Sequence, residues 1–64
     1  MDLFDVVALV DARREDGLPA GAVGTIVHIF DKPRPAYEVE FADNDGVTIA
    51  TATLQPGQVR MIEQ

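Results

Sequence analysis

Cysteine, serine and tryptophan are all missing from this chain, and histidine and tyrosine occur once each, as His28 and Tyr37. Without cysteine there is neither a disulfide framework nor a thiolate metal site, so the domain must be held by its core alone. Without serine or cysteine the common nucleophiles of covalent catalysis are gone, and Thr25, Thr48, Thr51 and Thr53 occupy strand-like positions. No catalytic residue is expected. A zinc site built on the lone His28 would need carboxylates for every other protein ligand, so no metal site and no cofactor is expected either. The shortage of aromatics removes the groove that proline-rich peptides need and the stacking platforms that single-stranded RNA needs. Bases are also scarce, five Lys and Arg against eleven Asp and Glu, for a net charge of -6. That balance argues against nucleic acid, whose phosphates require a positive stripe, and against anionic membranes. It favours a protein partner with a basic surface, since a field of one sign raises encounter rates with the other. No apolar run approaches the ~18 residues of a membrane-spanning helix. Met1–Asp5 is acidic and only briefly apolar, unlike a signal peptide, and a cytoplasmic location is expected.

What is present is the composition of a folded protein, 47% hydrophobic and 25% charged in 64 residues. One domain over residues 1–64 is expected. A domain this small buries only roughly 60% of its unfolded surface, which makes a partner or homo-oligomerisation attractive. The apolar pattern has the period of strands. Asp5–Val10 is a β-branched run, too short for a helix and suited to a strand buried on both faces. Asp11–Gly21 is read as a long exposed loop with at most one helical turn over Asp11–Glu15. Val23–Phe30 is a second strand, in which Gly24 marks a bulge, a bend or the close approach of another backbone. Pro33 and Pro35 interrupt the ladder. Ala36–Ala42 then alternates, with Tyr37, Val39 and Phe41 on a core face and Glu38 and Glu40 on a solvent face. Asp43–Gly46 is a tight hairpin turn, Val47–Leu54 the return strand with a bulge around Ala50–Ala52, Gln55–Gln58 a one-turn link, and Val59–Ile62 the last strand. Phe30 shares the core spacing of Tyr37 and Phe41. The expected fold is all-β, a five-stranded SH3-like barrel whose closure hides its edges.

The blocks Asp5–Ala8, Gly21–Val27, Tyr37–Phe41, Asp43–Gly46 and Thr53–Gln58 together resemble a family of short bacterial proteins known as domain of unknown function 4926. The resemblance runs along nearly the whole chain, and its Tyr-Glu-Val-Glu-Phe block is fairly specific. It implies an SH3-like fold and, because some members lie beside toxin-like genes, an antitoxin or immunity role. Gly21, Gly24 and Ile26 are also similar to the KOW motif of ribosomal and transcription proteins, and the barrel resembles small subunits that dock onto larger enzymes.

Two loops are the candidate partner-binding elements. The first carries Arg13, Arg14, Glu15 and Asp16, with a guanidinium as the anchor because it grips a carboxylate bidentately. The second, Asp31–Tyr37, offers Lys32, Arg34 and Tyr37. Two functions fit these features. One is a non-enzymatic interaction module that binds a basic protein surface as an antitoxin, immunity or regulatory partner. The other is a structural or assembly subunit of a larger enzyme complex or of a homo-oligomer.

Overall fold

The computed structural model describes residues 1–62 and folds them into five antiparallel strands in one sheet. Strand β1 spans Val6–Leu9, β2 Val23–Phe30, β3 Ala36–Ala42, β4 Thr48–Leu54 and β5 Val59–Met61, with single 3₁₀ turns at Arg14–Asp16 and Pro56–Gln58. Of the domain expected over 1–64, Glu63 and Gln64 lie outside the described residues. No α-helix occurs among the described residues.

The sheet order is β4-β3-β2-β1-β5. Among the described residues β4 and β5 are not paired with each other, so the sheet is open and the hydrogen-bonded closure of a barrel is not made. The sheet is nevertheless curled. A flat single layer cannot bury a face without a second layer, yet Val7, Ile26, Phe41, Leu54 and Val59, one from each strand, belong to one buried cluster. The radius of gyration, 10.9 Å, matches the value of about 10.7 Å for a compact chain of this length.

Strand β1 is buried as its apolar run predicts, with Val7, Ala8 and Leu9 all shielded from solvent. The alternation of β3 holds too: Val39 and Phe41 are fully buried, Tyr37 packs half-buried against them, and Glu38 and Glu40 turn to the other face.

Three local expectations are revised or narrowed. Phe30 is 37% exposed and not core. The β2–β3 register slips between Ile26 and His28, so Val27 is an extra residue. Such a slip exchanges the faces of every residue after it. Ile29 thereby takes the inner side, and Phe30 turns outward, where its ring meets His28 edge to face at 4.5 Å. Of the readings offered for Gly24, close approach is the one realised. A Cβ there would lie 2.6 Å from Val39 Cγ1 and 2.9 Å from both the Glu40 carbonyl oxygen and Phe41 Cδ1. The bulge of β4 sits at Ile49, between the Phe41–Ala50 and Ala42–Thr48 pairs, rather than over Ala50–Ala52. It lies beside the turn, where Asp43 Oδ1 accepts from the N–H groups of Asp45 and Val47, and Gly46 takes a φ of 80°.

The first loop is also less exposed than its composition suggests. Arg13 and Leu18 exchange backbone hydrogen bonds of 2.8 and 3.0 Å, which folds the 3₁₀ turn at Arg14–Asp16 between them, later than Asp11–Glu15. Leu18, the one large apolar side chain between Val10 and Val23, is driven into the core, 3% exposed.

Candidate functional site

The loop residues are positioned by different ends of β2. Arg13–Asp16 precedes Val23, whereas Lys32 and Arg34 follow Phe30, and the seven steps between those strand ends span about 23 Å of extended chain. The two candidate loops flank opposite ends of β2, and no hydrogen bond or ion pair joins their side chains among the described residues. In the first, Arg13 is spent within the loop: its Nε donates to Asp16 Oδ2 at 2.9 Å and lies 3.7 Å from Glu15 Oε1. Arg14 is exposed and makes no ion pair among the described residues. The same holds for Lys32 and Arg34, on a loop that contains a cis Lys32–Pro33 peptide. Tyr37 stands apart from them, half-buried against the core.

A different surface is assembled on the outer face of β3 and β4. Residues 35–59 contain Glu38, Glu40, Asp43 and Asp45 and no lysine or arginine. Glu38 lies opposite Thr53, and Thr53 Oγ1 donates to Glu38 Oε2 at 2.8 Å; Thr48 Oγ1 donates to Glu40 Oε1 at 2.9 Å. The threonine hydroxyls hold both carboxylates against the sheet face without neutralising them. His28 is opposite Glu38 on the other side, on the exposed outer face. Asp43 and Asp45 continue the row into the turn. The result is a run of negative charge along one hairpin, suited to attracting cations and basic side chains.

Beside this row, among the described residues, lies a free strand edge. Strand β4 carries no charged residue or proline, the usual guards of an edge, and has only the bulge at Ile49. Val47, just before it, and Ile49, near its start, are 59% and 58% exposed. Sequence reasoning found Glu38 and Glu40 as a solvent face but missed the edge, because strand order is invisible in a hydrophobic pattern. It also missed Phe4, which is exposed and held at φ 68° by an N–H bond of 2.7 Å to the Ile26 carbonyl. No periodicity signals that residue. Among the described residues no pocket opens on the surface, and no group of three or more His, Asp or Glu side chains gathers as a metal site. Among the described residues no helix is long and apolar enough to cross a membrane.

These features define a small all-β domain built on one curled antiparallel sheet. The chain belongs to the family described as a domain of unknown function (DUF4926), whose model matches residues 3–61. No curated protein and no solved structure matches it.

Proposed function

We propose that this chain is a non-enzymatic protein-interaction module that binds a basic protein surface, as an antitoxin, immunity or regulatory partner in a bacterial cytoplasm. The observation that carries the reading is the acidic run from Glu38 to Asp45 on one hairpin, with Glu38 and Glu40 half-buried on the strand face, Asp43 and Asp45 exposed in the turn, and no lysine or arginine among residues 35–59. Its finer fold is an SH3-like barrel: the sheet order, the curl and the 3₁₀ turn between β4 and β5 support it. The Arg14 and the Lys32–Arg34 loops supply flanking contacts at the two ends of β2. Native recovery from lysate at low and high salt, with mass spectrometry of whatever co-purifies in stoichiometric amount, tests the reading. A basic partner retained at low salt and released at high salt is expected, because contacts between exposed charges are screened. Absence of any such partner refutes it.

The second reading, a structural or assembly subunit, is favoured by a separate observation. Both edge strands, β4 and β5, lack a partner strand on their outer sides among the described residues. A complex of fixed stoichiometry that survives high salt, or a homo-oligomer seen by sedimentation, would select it.

A further inference from the structure

The hydrogen-bond parity of the sheet can be followed strand by strand. Leu9 donates to the Ala22 carbonyl, and Ile26 donates to the Asp5 carbonyl, so the even residues of β2 turn their backbone groups toward β1. The odd residue Thr25 therefore faces β3, where its partner is Glu40. Because direction alternates along a strand, Val39 and Phe41 face β4, and their partners Ala52 and Ala50 face β3 in return. Thr51 and Thr53 are left with their N–H and C=O groups aimed away from β3, along the free edge. Their side chains share the outer face with Glu40 and Glu38, their cross-strand partners.

We propose that the β4 edge is a docking site for an extended basic segment of a partner protein, added as a sixth antiparallel or parallel strand against Thr51 and Thr53, with its Lys or Arg side chains on the acidic row of Glu38 and Glu40. The proposal deepens the interaction-module reading and rests on it for the charge of the partner. Strand addition takes affinity from main-chain hydrogen bonds and specificity from alternate side chains. A docked strand lies about 10 Å from β3, two strand spacings away. Residues of that strand opposite Thr51 and Thr53 sit on the outer face, and a Lys or Arg there lays its stem over the threonine and carries its charge toward Glu40 or Glu38. The intervening residues fall on the inner side, beside Ala50 and Ala52, where apolar side chains extend the core. Val47 just before β4 and Ile49 near its start, both exposed, add apolar surface at one end. A second copy of this chain is the poorer occupant: β4 against β4 would set two acidic rows side by side on chains of net charge -6.

The test uses a seven-residue peptide of alternating valine and lysine, its valine–glutamate counterpart, and two versions of the first with N-methylated amides at alternate residues in each parity. Affinity is read by calorimetry at low salt, and the contact by backbone NMR with hydrogen exchange. Binding of the lysine peptide, slowed exchange at the Thr51 and Thr53 amides, and loss of at least tenfold in affinity for one methylation parity only are expected. Glu38→Gln and Glu40→Gln should each weaken binding by about 1.5- to 5-fold, as exposed ion pairs do. Thr51→Pro removes a donor that faces the free edge, where proline is tolerated, and should abolish binding with the fold intact. No binding, equal affinity for both methylated peptides, or protection at amides outside β4 overturns the proposal, as does dimerisation through β4 without peptide. Thr51→Pro also separates this proposal from the reading beneath it. If it still captures the wild type's basic partner from lysate, the docking site is wrong and the interaction module stands. If the peptide binds at β4 but neither form captures a partner, the site stands and the module reading falls.

Discussion

Gly24 offers the sharpest test of the packing. Replacing it with alanine places a methyl 2.6 Å from Val39 Cγ1 and 2.9 Å from both the Glu40 carbonyl oxygen and Phe41 Cδ1. None of these neighbours gives way easily. Val39 and Phe41 are fully buried, and the Glu40 residue is fixed between Thr25 and Thr51 in the middle of the sheet. Overpacking of this kind costs about 1–3 kcal/mol. Against it stands a gain of about 0.4–1 kcal/mol from the less flexible unfolded chain. The net expectation for Gly24→Ala is a loss of about 1–2 kcal/mol, which for a domain of this size lowers the melting temperature by roughly 4–16 °C. Thermal and urea unfolding followed by circular dichroism measure it. Gly57 is the internal control, since it has negative φ and a methyl added to it would meet nothing within 4 Å. Gly57→Ala should be neutral or stabilising. A Gly24→Ala protein as stable as Gly57→Ala would refute the close approach of β3 to β2.

Phe41→Ala removes the largest fully buried side chain and should cost about 3–5 kcal/mol. Since a core this small supplies about 3–5 kcal/mol in all, an unfolded spectrum at room temperature is expected, and a cooperative native melt would contradict the inner face assigned to β3. Leu18→Ala tests whether the first loop is pinned: a loss of about 2 kcal/mol or more is expected, whereas a freely solvated loop would show almost none. Arg13→Ala breaks only half-exposed pairs with Glu15 and Asp16, so it should cost at most about 1 kcal/mol; a salt titration of the stability difference checks it, and an effect that did not shrink with salt would point to packing instead. Phe4→Asn replaces an exposed bulky residue at φ 68° with one that tolerates that conformation. Unchanged or raised thermal stability is expected, and a marked loss would show that the Phe4 ring is held by contacts.

The strand count, the burial of Val7–Leu9, the two faces of Tyr37–Phe41 and the turn at Asp43–Gly46 were all legible in the chain, because each depends on neighbours within a few residues. A period of two, a β-branched run and an Asp-Gly pair act locally, whatever the rest of the molecule does. Phe30 escaped that reading. Its face depends on a single extra residue at Val27, and whether a strand absorbs a bulge is settled by the strand beside it. Leu18 escaped for a similar reason: a lone leucine among charges becomes core only because a cross-loop bridge turns it inward.

The same division runs through the candidate site. Composition alone established the acidic sign of the surface and the lack of the usual nucleophiles, and spacing alone put Glu38 and Glu40 on one side of a strand. Their significance came from pairing across distance. Only the three-dimensional arrangement engaged Arg13 within its own loop and left the backbone of Thr51 and Thr53 facing outward beside those carboxylates. Side-chain alternation is a property of the chain itself, but an edge exists only once every strand has found its neighbours.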